Sequence, residues 1–192
     1  MDIQQGSVLC TTPGATMATT SAHGELALHE QDLRGKTAVV TGASRGIGRA
    51  IALNLASQGC SILGTCSSTS SLHHVDSLSH SIASIYQNDS EVSPKVVGLA
   101  ADIQDLLSPQ KIADKIASDF GNHLDIFINN AGVASAEKIG SLAEGDITKY
   151  LTGNIHVPVA VVEEFVKRKQ FRPNSRIIYI SSVRARKAWA DQ

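Results

Sequence analysis

Short apolar runs alternate with longer amphipathic segments along the chain from residue 36 onward. The apolar runs are rich in valine, isoleucine and leucine, as buried parallel strands are. They predict strands at Lys36–Thr41, Cys60–Thr65, Lys95–Ala101, Leu124–Ile128 and Arg176–Ile180. The segments between them predict helices at Gly46–Ser57, Ser70–Gln87, Pro109–Phe120 and Glu144–Phe171. This alternation is typical of an α/β domain with a parallel sheet.

The order of these elements predicts the topology of the sheet. Right-handed crossovers would place the strands in the order 3-2-1-4-5. The expected fold is therefore α/β, a three-layer doubly wound Rossmann-type parallel sheet that is incomplete after its fifth strand. Apolar side chains alternate on both faces of the fourth and fifth strands, so one face of both strands and the free edge of the fifth are expected to be bare. Such a surface predicts poor solubility or dependence on a partner, in a homo- or hetero-oligomer.

The first 34 residues have a different composition from the rest. They are rich in serine, threonine, glycine and glutamine and show little periodicity. A disordered tail over residues 1–34 is therefore predicted before a single domain at residues 35–192. Asp2 near the start and the lack of an apolar block argue against a signal peptide.

Composition and charge exclude several classes of function. With 42% hydrophobic residues among 192, the chain can bury one core. The net charge of −1 implies no nucleic-acid or anionic-membrane partner, and no apolar run is long enough to span a membrane. The three cysteines, Cys10, Cys60 and Cys66, have no metal-type spacing, and a reducing, cytoplasmic compartment is the simpler interpretation.

The histidine-rich segment after the second strand lacks the pattern of a metal site. His73, His74, Asp76 and His80 do not place three ligands on one face of a helix. They are predicted to be solvated side chains of a polar helical face. No metal site is expected in this chain.

A glycine-rich segment, Thr-Gly-Ala-Ser-Arg-Gly-Ile-Gly, joins the first predicted strand to the first helix. Free backbone N–H groups and the helix dipole attract a phosphate there, and glycine lets the backbone approach it closely. The alternative is an ordinary strand–helix turn, but the strand before and the helix after favour a nucleotide site. The candidate phosphate-binding residues are Gly42, Ser44, Arg45, Gly46, Ile47 and Gly48.

The spacing Gly-x-x-x-Gly-x-Gly resembles the signature of the short-chain dehydrogenase/reductase family. Four further matches follow in the family's order. Asp102 follows the third strand, Asn129–Gly132 reads Asn-Asn-Ala-Gly after the fourth, Asn154 lies in the long helix, and Ser182 follows the fifth strand. The segment Gly-Ala-Ser-Arg-Gly-Ile-Gly-Arg-Ala-Ile-Ala is most similar to the branch of 3-oxoacyl-carrier-protein reductases.

The resemblance implies a nicotinamide dinucleotide as cofactor. It adds cofactor-binding residues at Ser67, Asp102, Ile103, Asn130, Ala131 and Gly132. An acid at the end of the second strand would favour a ribose 2′-hydroxyl, yet the segment from Thr65 to Ser68 carries none. Family members of this kind use NADP(H), with Arg45 and Ser67 at the 2′-phosphate. The alternative is that Arg45 points to solvent.

Two residues are catalytic candidates by the same resemblance. Ser182 would polarise a substrate carbonyl, and the main-chain carbonyl of Asn154 would hold a water in a proton relay. Pro158, four residues after Asn154, cannot donate the usual helical hydrogen bond to that carbonyl. The alternative is that Pro158 only kinks the helix.

The family's Tyr-x-x-x-Lys pair is the part of the pattern that these 192 residues do not contain. None of Tyr86, Tyr150 and Tyr179 has a lysine four positions later. The expected function is an NADP(H)-dependent oxidoreductase that interconverts small-molecule carbonyls and alcohols by hydride transfer, inactive in this form. The alternatives are a non-catalytic NADP-binding regulatory protein and an inactive partner subunit of a full-length relative.

Overall fold

The computed structural model describes residues 28–87, 93–134, 140–183 and 186, and these form one parallel sheet with helices on both faces. The strands are β1 (Thr37–Val40), β2 (Ser61–Cys66), β3 (Val96–Ala100), β4 (Leu124–Asn129) and β5 (Phe171–Tyr179). The helices are α1 (Gly46–Ser57), α2 (Leu72–Ile85), α3 (Ser108–Asp119), α4 (Glu144–Leu151) and α5 (Val157–Lys167), with a 3₁₀ turn at Thr69–Ser71 and a π-helical turn at Thr152–His156. The strand order is β3-β2-β1-β4-β5. The predicted fold class and order are confirmed.

The register of the sheet brings the ends of its strands together. Val40, the last residue of β1, lies beside Gly64 of β2 and Ile128 of β4. All four strand pairs are parallel. The segments that follow β1, β2 and β4 therefore leave the sheet at the same edge, where ligands bind in open α/β sheets.

Two buried cores lie on the two faces of the sheet. On one face, α1 and α2 cover alternate strand residues such as Val40 and Ile62. On the other, α3 and α5 cover the residues between them, such as Val39 and Leu63. This separation of alternate residues is the period-2 pattern of a buried strand, and it produces the three predicted layers.

The buried face of α1 consists of small residues. Small residues face the sheet, with Ala52 and Ala56 fully buried, while Ile47 is 63% exposed. A Cβ on Gly48 would lie 2.3 Å from the carbonyl oxygen of Gly42. Close approach of α1 to the preceding turn therefore requires small residues, and the larger Ile47 lies outside the contact.

The long helix predicted at Glu144–Phe171 is interrupted and ends early. Val157 N–H donates to the Thr152 carbonyl, five residues back, so a π-helical turn separates α4 from α5. α5 ends at Lys167, and Lys169 has a left-handed φ of 54° that stops a helix. β5 then begins at Phe171, five residues before the predicted start at Arg176.

The expectation of uncovered strands is confirmed for β5 and wrong for β4. Phe127 of β4 is fully buried against Phe165 of α5, with ring centroids 5.5 Å apart. β5 is the edge strand of the described sheet, and the consecutive side chains Ile177, Ile178 and Tyr179 are each more than 40% exposed. The helical layer thus extends over β4 and reaches Phe171 at the start of β5, but it does not cover Ile177–Tyr179.

Part of the predicted N-terminal tail lies within the described residues. His29 and Leu33 donate backbone hydrogen bonds to the carbonyls of Ser57 and Gln58 at the end of α1. The buried Tyr86 hydroxyl donates to Gln31 Oε1 (3.1 Å). Residues 28–34 are therefore packed against the domain, and residues 1–27 lie outside the described residues.

Candidate functional site

A cavity of about 600 Å³ opens at the carboxyl edge of the sheet. It is lined by Gly42, Ser44, Arg45, Thr65, Cys66, Ser67, Ala101, Asp102, Ile103, Gln104, Asn130, Ala131, Gly132, Val133 and Ala134. Most of the cofactor-binding residues predicted from the sequence are in this set. Those outside it are Gly46, Ile47 and Gly48 in the first turn of α1.

The glycine segment makes a tight turn above β1. Gly42 and Gly46 have φ of 69° and 58°, the left-handed region that only glycine adopts without strain. A Cβ on Gly42 would lie 3.0 Å from Asn130 Nδ2 and 3.2 Å from the backbone of Ala131. The glycine segment and the loop that follows β4 therefore pack closely against each other at Gly42.

The N-terminus of α1 is open toward this turn. Arg45 is the N-cap, in an extended conformation (φ −158°, ψ 170°), and its side chain makes no capping hydrogen bond. The first helical residues, Gly46, Ile47 and Gly48, have no carbonyl four residues back within the helix to receive their N–H groups. No acidic residue lies in that turn. Uncapped amides at the positive end of a helix dipole attract an anion such as a phosphate.

Thr41 and Asn130 fix the loop after β1 to the loop after β4. The Asn130 side chain donates to the Thr41 carbonyl (2.9 Å). Thr41 Oγ1 accepts hydrogen bonds from the backbone N–H groups of Asn130 and Ala131, both at 3.0 Å. Both walls of the cavity are thus held in one arrangement before any ligand enters.

The end of β2 forms the polar side of the cavity. Ala43 N–H donates to the Thr65 carbonyl (2.9 Å), which holds the glycine segment against β2. The Cys66 thiol donates to the Ser68 carbonyl (3.2 Å), and burial raises the pKa of this thiol above its ordinary value. Ser67 and Arg45 line the same cavity, and no carboxylate lies on β2 itself.

Asp102 holds the loop that follows β3. Gln104 N–H donates to Asp102 Oδ1 (3.0 Å), and the Ser108 hydroxyl donates to the Asp102 carbonyl (2.6 Å). These bonds tie the loop to the start of α3. Asp102 and Ile103 line the same cavity as the glycine segment.

Asn154 lies in the π-helical turn and binds the cavity wall through its side chain. Its Nδ2 donates to the Val133 carbonyl (2.9 Å), and its Oδ1 accepts from Val133 N–H (2.8 Å). The amide therefore holds both backbone polar groups of a lining residue. Asn154 itself is not among the lining residues.

Ser182 leaves the sheet at the same edge as the cavity. Ile180 N–H donates to the Asn129 carbonyl (2.8 Å), which continues the β4–β5 pairing one residue beyond β5. Ser182 follows two residues later and is exposed. It is not among the residues that line the cavity, so the structure brings it to the correct edge without placing it in the cavity wall.

The sequence did not single out Thr65, Cys66, Ala101, Gln104, Val133 and Ala134 as site residues. Each of them lies within two positions of a predicted site residue or continues its loop. Extending each predicted segment by two residues along the strand end would have found them. Ala101, Val133 and Ala134 have no polar side-chain group that could mark them in a sequence, and Thr65, Cys66 and Gln104 belong to no recognised motif.

A second cavity of about 500 Å³ lies on the far side of α3 and α5. It is an apolar groove, here called the α3/α5 groove, with Leu106, Leu151, Ile155 and Val159 on its walls. None of the predicted site residues lines it. The chemistry of the glycine segment therefore belongs to the first cavity.

The histidines after β2 are engaged locally. The Nδ1 atoms of His73 and His80 are hydrogen-bonded to the carbonyls of Ser70 (2.7 Å) and Asp76 (2.8 Å). No group of three potential metal ligands occurs among the residues that the structure describes.

The chain was compared with known proteins. A family model described as short chain dehydrogenase matches residues 36–192. An L-xylulose reductase from Aspergillus niger is 33% identical over an alignment of 171 residues that covers 80% of this chain and 54% of that protein. A 3-oxoacyl-[acyl-carrier-protein] reductase from Haemophilus influenzae is 33% identical over 155 residues, with 79% of this chain and 57% of that protein covered. The chain thus spans little more than half the length of these relatives.

Solved structures share the fold. A short chain dehydrogenase from Burkholderia cenocepacia, crystallised in complex with NADP, superposes with a TM-score of 0.71 at 29% identity. The match covers 83% of this chain and 60% of that chain. The likeness therefore includes most of the described sheet and its helices.

Proposed function

The chain belongs to the short-chain dehydrogenase/reductase family of oxidoreductases, and we propose that its cavity binds NADP(H) for hydride transfer to or from a small-molecule carbonyl or alcohol. The observation that carries this proposal is the uncapped N-terminus of α1 beside the glycine turn at Gly42. That arrangement fits a pyrophosphate, because it offers backbone N–H groups and no side chain to obstruct close approach.

The polar residues of the cavity support NADP(H) over NAD(H). Arg45 lines the cavity beside Ser67, while β2 ends in Thr65 and Cys66 with no carboxylate to accept a ribose hydroxyl. A guanidinium and a hydroxyl match a 2′-phosphate, which an acid at that position would repel. The Burkholderia relative in complex with NADP supports the same choice.

The reaction assigns separate roles to the residues at the sheet edge. When bound, NADPH supplies a hydride to the carbonyl carbon. The Ser182 hydroxyl is proposed to donate a hydrogen bond to the carbonyl oxygen of the substrate, which favours the negative charge that develops there. Asn154 is proposed to contribute its main-chain carbonyl to a water-mediated proton path, since Pro158 cannot donate to that carbonyl.

Protonation of the resulting alkoxide requires an acid that these residues do not supply. A serine hydroxyl and an asparagine amide are poor proton donors near neutral pH. None of the tyrosines in the 192 residues forms a Tyr-x-x-x-Lys pair. We therefore propose that this polypeptide binds the cofactor without efficient turnover.

The cysteines and the net charge support a proposal for the location of the protein and its ligand class. Cys60 and Cys66 are both free and buried, which supports a cytoplasmic location. None of the helices in the described part of the chain is long and apolar enough to cross a membrane. A net charge of −1 supports a small-molecule ligand rather than a nucleic acid.

Titration of the chain with NADPH, followed by cofactor fluorescence, tests the proposal. The wild-type chain should bind saturably, and Gly48→Ala should bind much more weakly because its Cβ would lie 2.3 Å from the Gly42 carbonyl oxygen. The matched control is Gly145→Ala in α4, where a Cβ meets nothing within 4 Å. Absence of binding by the wild-type chain, or equal binding by Gly48→Ala and the wild type, would overturn the proposal.

A further inference from the structure

The π-helical turn packs against the cavity wall at Gly153. This glycine is buried. A Cβ built on it would lie 2.7 Å from Val133 Cγ2 and 3.4 Å from Ile103 Cδ1. Both Val133 and Ile103 line the cavity at the carboxyl edge of the sheet. This cavity, which is proposed to bind NADP(H), is here called the dinucleotide cavity. The helical layer and the cavity therefore touch through a contact that leaves no room for a methyl group.

The requirement for glycine here is steric and not conformational. Gly153 does not have the left-handed φ that disfavours other residues, so alanine could adopt its backbone without strain. Gly145 in α4 is the opposite case, because its Cβ would meet open space. At Gly153 the space that a Cβ would take is therefore occupied by neighbouring atoms, whereas at Gly145 that space is empty.

Two neighbouring residues act on Val133 from the same turn. The Asn154 amide holds the Val133 N–H and carbonyl at 2.8 and 2.9 Å, which fixes the backbone. Gly153 abuts the Val133 side chain, whose χ1 is stiff because valine is β-branched. A methyl group at position 153 cannot be absorbed by the Val133 backbone, so it must displace that side chain toward the cavity or push the turn away.

We propose that Gly153 is a positioning residue, which sets the place of the Asn130–Ala134 loop through its contact with Val133 and thereby shapes the dinucleotide cavity. The proposal rests on the proposed function for the identity of the ligand. It assigns a role to a residue outside the cavity, one position before the candidate catalytic Asn154. The contact itself is independent of any ligand and can be measured without one.

Four variants of the full 192-residue chain test this role: Gly153→Ala, Val133→Ala, the double variant, and Gly145→Ala as the control. Gly153→Ala should raise the Kd for NADPH roughly tenfold, the order expected when one methyl overpacks a tight contact. Val133→Ala removes Cγ2, so the double variant should recover the Kd of Val133→Ala alone. Gly145→Ala should bind as the wild type does.

Amide hydrogen exchange of Val133 is the second readout. Gly153→Ala should speed exchange of this amide, which donates to Asn154 Oδ1, and the double variant should slow it again. A merely structural glycine would lower the melting temperature without this local change, and that result would overturn the proposal. Failure of Gly153→Ala to fold, with recovery in the double variant, supports the contact, and failure of both overturns it.

The two proposals fail separately in these experiments. If the wild-type chain does not bind NADPH, the proposed cofactor is wrong, and the exchange of Val133 still decides whether Gly153 positions the loop. If the wild-type chain binds and Gly153→Ala leaves both Kd and exchange unchanged, the positioning role is wrong and the cofactor proposal stands.

Discussion

Thr41 and Asn130 are 89 residues apart in sequence and are joined by two hydrogen bonds. The Asn130 amide donates to the Thr41 carbonyl at 2.9 Å, and Asn130 N–H donates to Thr41 Oγ1 at 3.0 Å. The same hydroxyl accepts from Ala131 N–H. The loops after β1 and β4 are therefore a single unit, and the shape of the dinucleotide cavity depends on one threonine side chain.

Thr41→Val tests this unit, because valine keeps the shape of threonine and removes its hydroxyl. The partly buried N–H groups of Asn130 and Ala131 would lose their acceptor, and each lost hydrogen bond costs about 0.5–1.5 kcal/mol. The free energy of unfolding in urea should fall by that order, and the Kd for NADPH should rise. Thr148→Val is the control, since Thr148 is exposed on α4 and its hydroxyl donates only within that helix. An equal loss of stability in the two variants would contradict the account.

Arg45→Ala should weaken NADPH binding more than NADH binding. The reason is that only NADPH carries the 2′-phosphate, and a guanidinium–phosphate contact is a strong charge-assisted hydrogen bond. Arg49→Ala is the control, because Arg49 is a second arginine in the first turn of α1, the helix that Arg45 caps. Arg49 donates to the His74 carbonyl (2.8 Å) and does not line the cavity. Equal losses of affinity for both cofactors in Arg45→Ala would remove this residue from the choice of cofactor.

Stability should fall at alkaline pH because of Cys60. Burial, with the nearby Asp125 carboxylate as a smaller cause, raises the pKa of this thiol to about 12. The folded chain then holds the thiol proton more tightly than the unfolded chain, whose thiol has the ordinary value of 9.0. The contribution of Cys60 is therefore complete below pH 9 and is lost as the pH rises toward 12.

Urea unfolding at a series of pH values measures this effect in the wild type and in Cys60→Ala. The cavity left by the missing sulfur lowers the stability of the variant at every pH, so the slope against pH is the readout. The wild-type slope above pH 9 should be the steeper one. Parallel curves would show that Cys60 does not titrate as its burial predicts.

Catalysis is expected to be absent or very slow in the 192-residue polypeptide. General-acid help contributes a factor of about 10²–10⁴, and no Tyr-x-x-x-Lys pair is present to supply it. NADPH oxidation with activated aldehydes, ketones and 3-oxoacyl thioesters should stay at the background rate. A chain extended with the family's Tyr-x-x-x-Lys segment should gain activity, and its Tyr→Phe variant should lose it again. Equal turnover by the short and extended chains would point to another acid in the 192 residues.

The sheet and its cofactor edge could be predicted because their signals are local. The apolar run of β1 is followed directly by glycines and by the periodic α1, and handedness rules then order the strands. The predicted residues Gly42, Asp102 and Asn130 line one cavity because parallel strands deliver their carboxyl ends to the same edge. Their role in binding remains a prediction.

The end of α5 and the start of β5 depend on contacts that no local pattern contains. Phe171 continues the apolar spacing of α5 in sequence, yet it lies in β5 and packs edge-on against Phe165 at 5.5 Å. Between them, buried Gln170 donates to the carbonyl of Ala113, 57 residues away. The Asn154–Val133 pairing is equally non-local, and valine carries no chemical signal that marks a site. Tertiary contacts therefore determine where α5 ends and where β5 begins, and the periodicity of the sequence does not contain them.

Hydrogen exchange of the whole chain with and without NADPH tests most directly whether the cavity at the sheet edge binds the cofactor, because the same experiment also reports on the α3/α5 groove. NADPH is expected to slow exchange in the first turn of α1 at Gly46–Gly48 and in the Asn130–Ala134 loop. No change is expected along the α3/α5 groove at Leu151 and Ile155. Protection in that groove, or no protection in the first turn of α1 at saturating NADPH, would contradict the assignment of the dinucleotide site.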